Sequence, residues 1–502
     1  MSRAVRVGGG LFFLVALVGA TWLMTRSPAV DYQVHPTRLF EQVITHVGNF
    51  GVDSIAEAEL FGRAAEGLIA ELGDEYASLS PQGEHRATPS DPNGLGIQFT
   101  LRGGTATVLG VAPLSPAWHG GLEAGDRLLS VGGVPILSTS REVVAAALET
   151  SSDSTIALQV RRAGVGTVMD LTFWPATPRP FRVSELVTLG QGVHYLAIYQ
   201  AGPGVAEVVG RALRLLPSDT RGLVLDLRGA AGGSIEEATG LTELFVQRGE
   251  PVLRVQGRDS LPRSFSSQHD PSLPSSTSVV ALVGTATADA AELLAGALQD
   301  LDRALLIGEP TFGRGLSQEE FSLSNQWVIR MSTQRWETPM GRTIQVGDSV
   351  IDFADRPVFA TASGRSVRGG GGIVPDSLRA RPAASSGWTE LWRVLAPSLP
   401  VVLRNMDSLS VAGAGLEPTW RPTRADLTQL LDRLSTDGVR PAPELVAGGA
   451  DELGRWLGDR LVATRLGEVG WVRRMAVLDP DLRLAVALLL AAATPSALVL
   501  GK

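Results

Sequence analysis

The sequence contains no cysteine and a single lysine. The absence of cysteine excludes thiol catalysis, disulfide bonds and thiolate metal sites. The lysine is Lys502, the last of 502 residues, so 43 of the 44 lysine and arginine residues are arginines. Chemistry that depends on a lysine base, a lysine Schiff base or a phosphate-loop lysine therefore has no residue to use in the body of the chain.

Composition and charge are those of an ordered, acidic protein. Hydrophobic residues make up 44% and charged residues 19%, which is typical of a globular chain, and the length allows several domains. The net charge of −8 gives no basic footprint for nucleic acid, so no nucleic-acid partner is expected. The glycine run at 369–372 lacks the lysine and helix of a phosphate loop. We expect no cofactor and no metal.

An apolar run near the N-terminus predicts export. Residues 7–24 are free of charge, with Arg3 and Arg6 before them and Arg26 after them. Such a length can span a bilayer, and cations ahead of the run predict a cytoplasmic N-terminus. We therefore predict a signal anchor or signal peptide over residues 1–28. The protein would be single-pass in the inner membrane with a periplasmic or other extracytoplasmic body, or secreted if the signal is cleaved.

The remaining pattern predicts four regions. Residues 29–90 read as helical, with a proline- and serine-rich linker from Ser80. Residues 92–177 have the short strands and single helix of a compact β domain. Residues 178–380 alternate strands and helices, which favours an α/β core. Residues 381–502 read as a helical C-terminal region.

Two segments of the β domain resemble a PDZ domain. Residues 115–133 are similar to its core. Gly94, Leu95, Gly96 and Ile97 resemble the loop that captures a peptide carboxylate. Successive N–H groups in a glycine-rich turn form an anion nest, and the adjacent strand edge can accept an extended peptide. The expected partners are therefore protein or peptide C-termini.

Three stretches of the α/β region resemble the carboxy-terminal processing peptidases, also called tail-specific proteases. They are residues 222–233, residues 287–315 and residues 338–345. The resemblance implies a crotonase-like α/β peptidase core with an inserted PDZ β domain and helical N- and C-terminal regions. It also implies a serine endopeptidase that cuts exported proteins near their C-termini with a Ser-Lys dyad. Backbone N–H groups would stabilise the oxyanion, here those of Gly232, Gly233 and Ala290.

The sequence departs from this family at both dyad positions. Asp289 occupies the nucleophile position and Arg314 the base position, and the family spacing of 25 residues between them is kept. Gln318 matches the glutamine that supports the lysine. Arginine has no acceptor nitrogen and stays charged, so it cannot take a proton from a nucleophile. Asp289 and Arg314 are instead expected to form a structural ion pair.

A rewired catalytic site is the alternative. Thr285, Thr287, Ser234 and Ser317 carry hydroxyls near these motifs, and the candidate bases are His194 and His269. No spacing joins a histidine to a hydroxyl, and hydroxyls of this kind commonly cap helices or satisfy turns. The alternative function is thus an active serine-type endopeptidase in periplasmic protein processing, with a relocated nucleophile.

The first hypothesis is a catalytically inactive pseudopeptidase. It would be an exported family member that binds unstructured C-termini through its PDZ domain and has a regulatory or scaffold role. Its expected partners are protein tails, the membrane through the N-terminal segment, and another copy of itself or an active relative. Whether it is an enzyme stays open at this point, because the family is hydrolytic and the dyad positions are replaced.

Overall fold

The structure is a computed structural model. It describes residues 36–74, 76–81, 95–102, 105–136, 141–148, 155–165, 168–173, 182–258, 260–346, 352–380, 384–407, 409 and 416–500. The predicted signal segment and Gly94 lie outside these residues. No helix in the described ranges has both the length and the apolar character needed to cross a membrane.

The helices cluster at the two ends of the described chain and alternate with strands between them. They are α1 Pro36–Phe50, α2 Glu57–Ala70, α3 Pro116–His119, α4 Arg141–Leu148, α5 Val205–Arg214, α6 Ile235–Glu243, α7 Ala290–Asp300, α8 Ser386–Leu395, α9 Leu399–Asp407, α10 Arg424–Thr436, α11 Pro443–Leu478, α12 Pro480–Ala491 and α13 Pro495–Leu500.

The strands form a core sheet, a second antiparallel sheet, a PDZ-type sheet and a short two-stranded ribbon. They are β1 Ser78–Pro81, β2 Ile97–Arg102, β3 Thr105–Val111, β4 Arg127–Val131, β5 Val134–Pro135, β6 Ile156–Arg161, β7 Met169–Phe173, β8 Val187–Gly190, β9 Val193–Ala197, β10 Gly222–Asp226, β11 Pro251–Gly257, β12 Arg263–Ser266, β13 Ser278–Val283, β14 Leu305–Gly308, β15 Leu316–Ser322, β16 Trp327–Glu337, β17 Val358–Ala360, β18 Ser366–Arg368 and β19 Ser377–Leu378.

The described residues 36–72 belong to one compact unit, which contains α1 and α2. Their apolar residues recur at helical spacing, as the sequence predicts. Ile44 is buried, whereas Phe40, Val43 and Phe50 are exposed. The second compact unit begins at Gly73 and contains every other described element.

The core sheet of the second unit has the strand order β19-β14-β13-β10-β9-β8. Strands β9, β10, β13, β14 and β19 are parallel, and β8 pairs antiparallel with β9. Every residue of β9, β10 and β13 is buried. One hydrophobic cluster joins the sheet to α5, α6 and α7, and another joins it to α12. Both faces are thus covered, as a parallel sheet requires, and the predicted α/β core is confirmed.

The PDZ-type sheet has the order β2-β3-β4-β6-β7 and leaves β2 at its edge. Its buried residues belong to the same hydrophobic cluster as those of helices α8 to α11. Leu399 of α9, for example, lies against Gly121 so closely that a β-carbon at Gly121 would be 2.2 Å from its Cδ2 atom. The β domain therefore shares one core with the C-terminal helices, an association that the sequence pattern did not predict.

A second antiparallel sheet, β1-β16-β11-β12, lies beside the core, and β15 pairs with the long strand β16. Strand β1 ends at Pro81, inside the segment predicted as a linker from Ser80. That part of the linker prediction is wrong, because Ser78–Pro81 pairs with β16 over four residues. A proline at the end of an edge strand is compatible with this pairing.

Candidate functional site

Asp289 lies on a tight turn between a buried strand and a buried helix. Strand β13 ends at Val283 and α7 begins at Ala290. Asp289 has φ 58° and ψ −124° and is the N-cap of α7, but its side chain makes no capping hydrogen bond. A positive φ in a residue other than glycine costs about 1–3 kcal/mol and persists only where the surroundings enforce it. The Asp289 carboxylate therefore does not cap α7 and binds other partners.

Thr287 fixes this turn from within. Its hydroxyl donates to the Leu227 carbonyl at 2.7 Å and accepts from the Gly284 amide at 3.0 Å. The Ala288 amide donates to the Ala230 carbonyl at 2.9 Å. These bonds hold the Asp289 turn against the loop that follows β10.

The side chain of Asp289 forms a two-point ion pair with Arg314. Arg314 Nε donates to one carboxylate oxygen and Nη2 donates to the other. The Asp289 side chain is 7% exposed and that of Arg314 is 19% exposed. Burial alone would lower the pKa of Arg314, but the charge and hydrogen bonds of Asp289 raise that pKa above its ordinary value. The predicted ion pair is thus present, and Arg314 is fully charged.

The same carboxylate also binds the backbone amide of Gly232. The Gly232 N–H donates to Asp289 Oδ2 at 2.9 Å. The Ala290 N–H donates to the Gly232 carbonyl at 3.2 Å. Gly233 follows with φ 90°, and a β-carbon there would lie 2.1 Å from the Ala201 carbonyl oxygen, so only glycine fits. The three residues expected around an oxyanion do meet here, but the Gly232 amide already binds an anion of the chain itself.

Arg228 lies at the start of the turn that contains Gly232 and Gly233, which is called the glycine turn here. Its side chain donates to Asp226 at 2.7 Å and to Asp479 at 2.5 Å. Asp226 ends β10, and Asp479 is the N-cap of α12. This arginine therefore ties the turn that contains Gly232 to the C-terminal helices.

Glu292 holds the loop that carries Arg314, a role that the sequence reading missed. Its carboxylate is fully buried and accepts from the Gly313 amide at 2.6 Å, the Arg314 amide at 2.9 Å and the Thr311 hydroxyl. Burial raises the pKa of Glu292 to about 7, against these hydrogen bonds, which lower it. A glutamate within the apolar stretch from Ala290 to Leu298 was the available signal, since such a residue needs partners when buried.

Gln318, which was expected to support the residue at the base position, contacts Tyr76. It is exposed on β15, and its Nε2 donates to the Tyr76 carbonyl at 2.6 Å. The Tyr76 ring lies under Arg314, with 5.4 Å between the guanidinium carbon and the ring centroid. Gln318 thus contacts the residue that stacks on Arg314, and Tyr76 is a second site residue that the sequence reading missed.

The alternative nucleophiles and bases have structural partners or lie apart. Ser234 caps α6 in a capping box with Glu237. The hydroxyl of Thr287 forms the two hydrogen bonds of the turn described above, while Thr285 is exposed and Ser317 lies half-buried in β15.

The two candidate histidines have other partners. His194 is hydrogen-bonded to Thr188, and His269 to Glu243. The described residues therefore contain no hydroxyl and histidine from this set that are bonded to each other.

Residues 94–97, which resemble the loop that captures a peptide carboxylate, are called the carboxylate loop here. Its described residues are held by backbone hydrogen bonds and by a close contact with Ser115. Gly96 has φ 74°, and a β-carbon there would lie 2.3 Å from the Ser115 Cβ atom. The Leu95 carbonyl accepts from the Ala117 amide at 3.2 Å, and the Gly96 carbonyl from the Ala112 amide at 2.8 Å. The loop leads directly into edge strand β2, as peptide addition to a sheet edge requires.

The PDZ sheet lies directly against the loops that carry the ion pair. Gln98 of β2 donates to the Tyr199 carbonyl of the core. A β-carbon at Gly110 of β3 would lie 3.6 Å from Ala286 Cβ and 3.8 Å from Gly229 Cα. These two neighbours are three residues before Asp289 and Gly232, respectively.

Sequence comparison agrees with this geometry. Residues 192–350 match the profile of peptidase family S41, and residues 107–162 match the profile of the PDZ domain. The S41 match includes Gly232, Asp289 and Arg314. The chain therefore contains a peptidase S41 domain and a PDZ domain, and it is similar to the carboxyl-terminal processing peptidases.

Curated carboxyl-terminal processing proteases match this chain over about 300 residues. The chain is 28% identical over 313 residues to the carboxyl-terminal-processing protease of Synechocystis sp., covering 60% of this chain and 72% of the relative. It is 28% identical over 304 residues to the chloroplastic carboxyl-terminal-processing peptidase 1 of Arabidopsis thaliana, covering 58% and 62%. The solved photosystem II D1 C-terminal processing protease has the same fold. It has a TM-score of 0.53 and 24% identity, with 68% of this chain and 86% of that chain covered.

The raised pKa of Glu292 should make the stability of this protein depend on pH. Its pKa is higher in the folded protein than the ordinary value of 4.5, so the folded state binds the proton more tightly than the unfolded state. The contribution of Glu292 to the unfolding free energy is therefore largest at low pH. It should fall by about 3 kcal/mol as the pH rises from about 4.5 to about 7, and stay constant above that.

Glu292→Gln should remove this dependence. The unfolding free energy of the wild type minus that of the variant, measured by urea denaturation from pH 5 to pH 8, should decrease with pH and level off near neutrality. Asp270→Asn, a substitution at an exposed position, serves as the control. Parallel pH curves for the wild type and Glu292→Gln would contradict the assignment.

Proposed function

We propose that this chain is an exported, membrane-tethered member of its family that binds unstructured protein C-termini and does not cleave them. Its role would be regulatory or that of a scaffold, by holding tails that active relatives also recognise. The observation that carries the proposal is the ion pair of Asp289 and Arg314 at the dyad positions, with the Gly232 amide bound to the same carboxylate.

Hydrolysis by a family-type dyad requires three conditions, and none is met at this ion pair. A nucleophile must be able to lose a proton, but Asp289 offers a carboxylate with both oxygens bound by Arg314. A base must have a free lone pair, and a guanidinium has none. An oxyanion needs unoccupied donors, yet the Gly232 N–H donates to Asp289.

Tail binding is supported by features that do not depend on the dyad. The Gly96 turn, the edge position of β2 and the PDZ profile match are all retained. The contacts at Gln98 and Gly110 would hold a tail bound on β2 close to the core. Export and membrane tethering are proposed from residues 7–24 and the arginines that flank them.

Restoring the dyad tests the catalytic half of the proposal. The purified protein should neither cleave an unstructured protein substrate nor react with a serine-directed fluorophosphonate. The double variant Asp289→Ser with Arg314→Lys should gain both activities, because it supplies a nucleophile and a base and frees the Gly232 amide. A positioned base typically contributes about 10²–10⁴-fold, so Asp289→Ser alone should remain slower than the double variant by that order.

The contrary outcome is equally specific. Cleavage by the unaltered chain, with fluorophosphonate labelling mapped to a hydroxyl between residues 222 and 345, would establish the alternative of a relocated nucleophile. Labelling that maps to a co-purifying hydrolase would be excluded by mass spectrometry of the modified peptide.

Peptide binding tests the other half. Peptides identical except for a free carboxylate or a C-terminal amide should differ at least tenfold in Kd, since a charged hydrogen bond contributes about 1.5–3 kcal/mol. Gly96→Ala should abolish the preference, because the new β-carbon would meet Ser115. Gly125→Ala is the matched control: it also has positive φ in the PDZ region, but no atom lies within 4 Å of the new carbon. Equal affinity of the wild type for both peptides would contradict tail recognition.

A further inference from the structure

Arg460 lies at the junction of the PDZ sheet and the C-terminal helices. It is on α11 and is 4% exposed. Its guanidinium carbon is 4.7 Å from the centroid of the Trp118 ring and 4.6 Å from that of Trp456. Arg460 Nη1 also donates to the Trp118 carbonyl. The cation is thus held between a tryptophan of the PDZ region and one of its own helix.

No carboxylate of the described residues pairs with this buried cation. Among the described residues, no carboxylate oxygen lies within 4 Å of an Arg460 nitrogen, and the charged groups that act on it from a distance are Glu123, Asp459 and Arg162. Burial lowers the pKa of Arg460 to about 10, so it remains charged at neutral pH. The two aromatic faces and the Trp118 carbonyl are therefore the contacts that stabilise the charge.

Trp118 belongs to the short helix that braces the carboxylate loop. The residue before it, Ala117, donates its amide to the Leu95 carbonyl at 3.2 Å. The N-cap of that helix, Ser115, accepts from the Trp118 amide at 3.2 Å and lies against Gly96. The position of α3 therefore determines the position of the Leu95 and Gly96 backbone, and Arg460 fixes α3 from its other end.

We infer that Arg460 is a positioning residue for carboxylate recognition: through Trp118 it holds the loop at Leu95 and Gly96 in the geometry that receives a peptide's free C-terminus. The C-terminal helices then contribute to tail affinity without touching the tail. This inference rests on the proposed tail binding and adds to it the element that controls it.

The test compares the Kd of free-acid and amidated peptides for Arg460→Met in the full chain. Methionine retains an unbranched apolar side chain at the tryptophans but cannot donate to the Trp118 carbonyl. The Kd for the free-acid peptide should rise about tenfold, within the range of couplings through packed contacts, while that for the amide stays unchanged. Arg460→Lys, which keeps a charge and a donor, should recover part of the preference.

Arg393→Gln is the matched control. Arg393 also lies on a C-terminal helix and donates to a PDZ carbonyl, that of Gly164, at 2.8 Å, but on the β6–β7 hairpin rather than at the loop. Its loss should leave the ratio of the two Kd values at the wild-type level. A thermal melt of each variant confirms that folded protein is compared, and Arg460→Lys provides the comparison if Arg460→Met does not fold.

The outcomes separate the two proposals. A wild type without preference for the free acid contradicts tail binding itself. A wild type with that preference, and Arg460 variants that keep it unchanged, overturns the positioning role alone. An equal loss of affinity for both peptides would also overturn it, because it would indicate general destabilisation of the groove.

Discussion

The mostly buried guanidinium of Arg314, next to the turn at Gly232 and Gly233, constrains the whole candidate site. Arg314 is held in place through its backbone by Glu292, and its charge has to be balanced where water is largely excluded. Asp289 supplies that balance from a strained turn and at the same time binds the Gly232 amide. The position of the Arg314 loop, the geometry of the Asp289 turn and the hydrogen bond of the Gly232 amide therefore all depend on one pair of opposite charges.

Arginine also forms buried ion pairs elsewhere in the second unit. These pairs give a structural reason why nearly all cations of the chain are arginines rather than lysines. Arg342 and Asp300 pair at 2.6 Å with no exposure of either side chain, and Arg162 binds Asp126 through two nitrogens. A planar guanidinium can bind a carboxylate at two points and stack on an aromatic ring, whereas an ammonium is a compact point charge. The permanently charged guanidinium suits arginine to these structural positions, and the same property makes it unsuitable as a base at position 314.

The sequence predicted much of the fold because its patterns are local. Alternation of strands and helices over residues 178–380 predicted the α/β core, and β9, α5, β10, α6, β13, α7 and β14 follow one another in that alternation. The family resemblance places Asp289 and Arg314 at the two dyad positions, and it led to the expectation that they form an ion pair, which the structure contains. These predictions needed only periodicity, turn residues and one family resemblance.

The features it failed to predict depend on contacts distant in sequence. Strand β1 exists because β16 pairs with it, although its own composition is that of a linker. Tyr76 reaches Arg314 from the same distant segment. The common core of the PDZ region and the C-terminal helices, with Arg460 between two tryptophans, joins residues about 340 positions apart. Hydrophobic periodicity shows which face is buried but not which partner buries it.

The interaction energy between Asp289 and Arg314 tests the central claim most directly. A double-mutant cycle would compare the unfolding free energies of Asp289→Ala, Arg314→Ala and the double variant in urea. Each single variant should lose about 3–5 kcal/mol, because it leaves the other charge buried and unpaired. The double variant should lose at least about 2 kcal/mol less than the sum of the two. Losses that add within about 0.5 kcal/mol, as for independent residues, would contradict the account.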